Sequence, residues 1–158
     1  MFDKNFEEIL MALTNHHVDF MLVGGYAVNF HGYNRSTSDM DIWVKPADAN
    51  KKKLIAALSS LHFRNTELIE GLDFTQPFCF RLGEEPYPVD IFTFLSGVNY
   101  EDAEKIMIPF ETTESVKVNF IHYTHLILNK MLTGRNKDKI DVEELQKVLQ
   151  FKKKSPSG

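Results

Sequence analysis

The chain has 158 residues, 43% apolar and 25% charged, with a net charge of -4, a balance that excludes the disordered and fibrous classes and fits one ordinary globular domain. No run approaches the ~20 apolar residues of a membrane span, and the opening MFDKNFEEIL lacks the basic and then apolar build of a signal peptide, so a cytoplasmic protein with no membrane role is expected. The charge carries no global signature of a nucleic-acid binder, yet residues 130–154 hold eight Lys or Arg against four Asp or Glu, leaving the rest of the chain acidic.

Phe6, Ile9, Leu10 and Leu13 recur at helical spacing and predict an amphipathic helix over 4–15. Val18 to Val23 is an apolar run that stops at Gly24 and Gly25, as a buried strand feeding a glycine turn does, and a short helix is expected over 25–33. In MDIWV, period two sets Met40, Ile42 and Val44 on one face and Asp39, Asp41 and Trp43 on the other. Pro46 ends that strand, and Asp48 or Asn50 can cap a helix carrying Leu54, Ile55, Leu58 and Leu61. Lys51 to Lys53 lie at the wrong end of its dipole to serve helix stability.

Two strands are expected at 77–82 and 88–94, joined by the turn-rich GEEPYP, with Asp90 in the middle of the second. The single Cys79, within FCFRL, excludes an internal disulfide and is expected as a buried small hydrophobe. A short helix near 101–107 and a strand near 116–121 follow, then helices over 124–132 and 139–149. This order predicts an α/β (α+β) fold: a mixed sheet with packed helices and two C-terminal helices. Residues 1–150 are expected as a single domain, with a core over about 1–121, a helical appendage over about 122–150, and a disordered basic tail over 151–158.

The strongest chemical signal is the pair Asp39 and Asp41 on an otherwise apolar strand. Same-face neighbours lie roughly 6–7 Å apart at Cα, so both carboxylates can reach one hard divalent cation or a pair of them. The plainer reading is an exposed strand end, with the two acids pairing Arg35 and Lys45. Asp90 shares a strand face with Phe92 and Phe94, an unexpected setting for a carboxylate without a charged partner. If its strand lies beside that of Asp41, three acids converge as two metals roughly 3.5–4 Å apart require. Gly24 and Gly25 let phosphate approach the backbone closely, although a Gly pair also marks any tight turn. Trp43 shares the acids' face, where it could stack a base or simply pack.

LVGGYAVNFHGYNRSTSDMDIWV resembles the signature of the DNA polymerase beta-type nucleotidyltransferases, and Arg35, Thr37, Asp39 and Asp41 resemble the Arg-x-Thr-x-Asp-x-Asp form of small bacterial members related to abortive-infection toxins. PVDIF, centred on Asp90, resembles the third carboxylate of that group, and LILNKMLTGRNKDKIDVEEL its helical segment, with Lys130, Arg135, Lys137, Asp138 and Asp141 at the matching positions. The resemblance implies Mg²⁺ or Mn²⁺ on Asp39, Asp41 and Asp90, with a nucleoside triphosphate held by Gly24 and Gly25. It further implies charge neutralisation by Lys130, and Arg35 and Thr37 either orienting phosphates or bracing the turn. Asp90 would also help deprotonate the incoming hydroxyl, while Lys137, Asp138 and Asp141 would form a network holding the last helices against the core.

The implied reaction is transfer of a nucleoside monophosphate to a hydroxyl acceptor on a protein, an RNA or a small molecule. A partner protein or transfer RNA is an acceptor the resemblance suggests. With 36 residues after His122, acceptor binding by a second subunit or a partner is a further expectation. The alternatives are a non-catalytic nucleotide- or partner-binding module, and one component of a toxin-antitoxin pair.

Overall fold

The computed structural model describes residues 2–154, and within them the chain alternates helices and strands around one six-stranded sheet. Helix α1 (Lys4–Asn15) starts where Asp3 accepts a hydrogen bond from the Asn5 N–H, and its apolar stripe of Phe6, Ile9, Leu10 and Leu13 is buried. Strand β1 (Phe20–Val23) is buried throughout and runs directly into α2 (Gly24–Phe30), followed by β2 (Met40–Val44). Helix α3 (Asp48–Ser60) and the five-residue α4 (Thr66–Glu70) precede β3 (Cys79–Leu82) and β4 (Val89–Phe92). Helix α5 (Tyr100–Ile106), strands β5 (Ile108–Glu111) and β6 (Lys117–Phe120), and helices α6 (Tyr123–Thr133) and α7 (Asn136–Lys154) complete the order.

The strands lie in the order β3-β4-β2-β1-β6-β5, a mixed sheet in which β2 pairs β4 and β1 pairs β6 in parallel while the other neighbours are antiparallel. This is the mixed α/β architecture with two closing helices that the sequence predicts. Met40, Ile42 and Val44 are fully buried on one face of β2, as the alternation requires, which turns Asp41 to the other. Among the described residues no helix is long and apolar enough to cross a membrane.

Several local expectations change. Helix α3 begins after Ala47, so neither Asp48 nor Asn50 is its cap; Asp48 lies in the first turn and pairs with Lys51 at 3.2 Å and Lys52 at 3.8 Å. Asn50 turns inward instead, accepting from the Asp19 N–H at 2.8 Å and donating to the carbonyls of Asp19 and Lys45, which ties the entry of β1 to the exit of β2. Asn50→Ala is expected to leave these buried groups unpaired and cost about 2 kcal/mol, read as a lower urea midpoint. Lys51 also donates to the carbonyls of Glu70 and Leu72, so one of the three lysines fastens the end of α4.

Cys79 is exposed rather than buried. It lies on β3, which forms the sheet edge, and the pleat turns Phe80 and Leu82 partly inward and Cys79 and Arg81 outward. Trp43 is a packed residue: it is buried, its Nε1 donates to the Thr93 carbonyl at 3.2 Å, and its ring meets Tyr100 edge-on. Helix α7 continues through Lys154, past the expected start of the tail at 151, and residues 155–158 of that tail lie outside the described residues.

Candidate active site

Register assembles the acids. On the parallel pair β2 and β4, Asp41 lies opposite Asp90; on the antiparallel pair β3 and β4, Asp90 lies opposite Arg81; and Asp41 faces Val23 at the end of β1. The next residue after Val23 is Gly24, where α2 begins, and Asp39 immediately precedes β2. One row across the sheet thus carries a cation, two carboxylates and the glycine turn, with the third carboxylate two residues upstream. Gly24, Gly25, Arg35, Thr37, Asp39, Asp41, Asp90 and Lys130 all line one polar cavity of about 330 Å³, together with Ser38, Arg81, Arg135 and Lys137.

The glycines are set by close approach. Gly24 has φ +63, and a Cβ there would overlap Asp41 Oδ2, while a Cβ at Gly25 would overlap Thr37 Oγ1. Any larger residue at either position would displace a side chain of the cavity wall. Thr37 Oγ1 donates to the Asp39 carbonyl at 3.4 Å and Ser38 Oγ donates to Asp39 Oδ1 at 3.0 Å, which orients Asp39 from its own loop.

The three carboxylates differ in their compensation. Arg81 donates from Nε to Asp90 Oδ1 at 2.8 Å and from Nη2 to Asp39 Oδ2 at 3.1 Å, and the Asp90 hydrogen bond and charge raise the guanidinium's pKa further. Asp41 has no ion-pair partner among the described residues. Burial, then the charges of Asp90 and Asp39, push its carboxyl up from 3.8 to about 6, against a smaller opposing influence of Lys130 and Lys137.

The cationic wall sorts into two groups. Arg35 grips Asp141 through two hydrogen bonds of 2.7 and 2.9 Å, and Lys130, itself buried, pairs with Asp141 at 2.8 Å and Asp138 at 3.3 Å. Arg135 and Thr133 complete the ring around Asp138. Burial penalises the charges of both acids, but Arg135, Thr133 and Lys130 at Asp138, and Arg35 and Lys130 at Asp141, outweigh it and hold both carboxyls below the usual range. Asp138 and Asp141 thus belong to the expected helix-holding network. Lys137, expected there too, is an exposed residue of the cavity wall with no ion pair among the described residues.

Among the described residues, no three His, Cys, Asp or Glu side chains stand together as a ready metal cage. Arg81 spans two of the three acids instead. The donor set itself fits a hard divalent cation, since all three groups offer carboxylate oxygens and Asp41 has no ion pair among the described residues. Sequence reasoning missed Arg81 because Cys79, two residues away on the same face of an alternating strand, was expected to be buried, whereas the structure turns that face outward.

No protein-family model and no curated protein matches the sequence. Among solved structures the fold is that of nucleotidyltransferases. A candidate nucleotidyltransferase, TM1012 from Thermotoga maritima, superposes with a TM-score of 0.59 at 17% identity over 93% of this chain and 91% of that one. The lincosamide antibiotic adenylyltransferase LnuA, in its lincomycin-bound structure, gives 0.55 at 18% identity over 94% of this chain and 98% of that one. The antibiotic-resistance factor ANT(2″)-Ia gives 0.55 at 11% identity over 91% and 82%. At these identities the likeness is one of fold, and the narrower resemblance to abortive-infection toxins finds no support in it.

Proposed function

We propose that the chain is a metal-dependent nucleotidyltransferase that moves a nucleoside monophosphate from a nucleoside triphosphate to a hydroxyl acceptor. The observation that carries this reading is the in-register placement of Asp41 beside Asp90, with Asp39, inside a cavity closed by Gly24 and Gly25. The nucleotidyltransferase fold supports it.

In this reading Asp39, Asp41 and Asp90 hold Mg²⁺ or Mn²⁺, which when bound supplies charge stabilisation for the attacking and leaving oxygens of an in-line displacement. Gly24 and Gly25 let the triphosphate lie against the backbone at the start of α2. Lys137, free of carboxylate partners among the described residues, neutralises phosphate charge, while Arg135 on the same wall is committed to Asp138. Lys130, Arg35 and Thr37 brace the wall rather than grip the substrate, because their polar atoms are engaged with Asp138, Asp141 and the Asp39 carbonyl. Asp90 has the position to accept the acceptor hydroxyl's proton once Arg81 moves aside.

LnuA, a lincosamide antibiotic adenylyltransferase, has the same fold, so hydroxyl-bearing small molecules belong in the acceptor panel beside protein and RNA. The test is incubation of the purified chain with Mg²⁺, each α-labelled nucleoside triphosphate in turn and a cell extract, beside an Asp39→Asn, Asp41→Asn double variant. Label transferred by the unmodified protein alone is the expected result, and it identifies both the base and the acceptor class. No labelling with any triphosphate, together with no metal-dependent triphosphate binding, overturns the enzyme reading; binding without transfer favours a nucleotide-binding module.

A further inference from the structure

Arg81 enters the reading above only as a group that must move aside, yet it makes more charge-assisted contacts to Asp39 and Asp90 than any other residue of the cavity. Its Nε donates to Asp90 Oδ1 at 2.8 Å, and its Nη2 donates at 3.1 Å to both Asp90 Oδ2 and Asp39 Oδ2. One guanidinium thereby joins β3, β4 and the lead-in to β2. A brace between β3 and β4 would need Asp90 alone, since backbone pairing already joins those strands. The contact to Asp39 reaches beyond β4 to the other acid assigned to metal, and Asp41 is left unpaired between them.

The arm that makes these contacts is half exposed and stands on an edge strand. Ion pairs in such settings contribute little stability and exchange readily. We propose that Arg81 is a built-in competitor of the divalent cation: it holds Asp39 and Asp90 while no metal is bound and yields them to a metal-triphosphate complex, whose phosphate oxygens then take the guanidinium. This rests on the metal and triphosphate reading of the cavity.

The physical reason for the coupling is what happens to the displaced cation. A lone divalent ion must strip Arg81 from two carboxylates and leave the guanidinium facing solvent and the bound ion's positive charge. A divalent ion that arrives on a triphosphate brings oxygens whose geometry suits the planar donor fork of arginine. The site therefore resists free divalent ions and accepts them together with nucleotide, which fits a cavity that also carries Lys137 without a carboxylate of its own among the described residues.

The test measures Mn²⁺ binding calorimetrically to the full chain without nucleotide, in unmodified protein, Arg81→Met, Arg81→Lys and Lys137→Met. Arg81→Met is expected to bind Mn²⁺ about tenfold more tightly than the unmodified protein. Arg81→Lys keeps the charge but replaces the fork by a point donor; it is expected between the two and keeps the test readable if the Met variant does not fold. Lys137→Met removes the same charge from the same cavity without touching Asp39 or Asp90, and a change of less than about threefold is expected from a screened, exposed charge. Equal affinities in the unmodified protein and both Arg81 variants overturn the competitor role while the metal site stands. A gain in Lys137→Met as large as in Arg81→Met overturns it too, by reducing the effect to net charge. Absence of Mn²⁺ binding in all four overturns the metal reading itself.

Discussion

Asp41→Asn is expected to abolish nucleotidyl transfer and, in the same protein, to raise stability. The first effect follows from removal of a central oxygen donor, and the loss expected is at least about 10³-fold in turnover. The second follows from the carboxyl's setting. Burial and the neighbouring charges of Asp90 and Asp39 raise its folded pKa from 3.8 to about 6, so the ionised form is disfavoured in the folded chain. Below pH 3.8 the group is protonated in both states and costs nothing. As pH rises from there through 6 the folded protein loses about 2–3 kcal/mol relative to the unfolded chain, and the penalty is constant above. Asparagine keeps the shape that fits against Gly24 and carries no charge. Urea unfolding in the presence of chelator should therefore show the variant equal to the unmodified protein near pH 4 and more stable at pH 7. Equal stability at both values would mean that Asp41 bears no electrostatic burden, and would remove the main reason to assign it to a cation. Exchange of stability for function at one half-buried acid is what a binding centre requires, and an acid kept for structure would show the reverse sign.

The faces of Asp41 and Asp90 were legible in the sequence because each lies on a short strand whose alternation buries Met40, Ile42 and Val44, or Val89 and Ile91, and turns the acid to the other side; that the two strands pair, with Asp41 opposite Asp90, was only a condition until the fold supplied it. The glycine turn was legible for a similar local reason. Arg81 was not, because its meaning depends on which residue of β4 it opposes, and register between strands joined by a loop is a tertiary property. Trp43 was ambiguous on the face of the acids until Tyr100 and the Thr93 carbonyl supplied its partners from beyond β4. Strand β5 escaped notice because it is four residues long and contains Pro109, which a strand tolerates only where its N–H is not needed, here at the edge of the sheet. Helix α4 is likewise too short to show a period.

Lys130 gives the second large effect, and it separates two roles that sequence alone could not. The matching position implied a cation for the triphosphate, whereas the folded chain buries the ammonium against Asp138 and Asp141, both of them fully buried. Lys130→Met leaves Asp138 to the largely exposed Arg135 and Thr133, and Asp141 to Arg35 alone. Removing one partner from a buried ionic network costs about 3–5 kcal/mol, since the remaining charges keep their desolvation penalty. The acids' folded pKa values lie below their unfolded ones, so the network's stabilisation is present above the unfolded value of 3.8 and is lost as pH falls through the folded values. Acid unfolding should accordingly begin at higher pH in the Lys130 variant than in the unmodified chain. Lys137→Met supplies the contrast: its exposed side chain predicts a stability change within about 0.5 kcal/mol, and its place on the cavity wall predicts triphosphate binding weakened by about tenfold. Urea midpoints and triphosphate affinities measured on the two variants check both expectations together. If Lys130→Met folds as stably as the unmodified protein and loses only triphosphate affinity, the buried ring is not what holds α6 and α7 to the core, and the substrate role returns to Lys130.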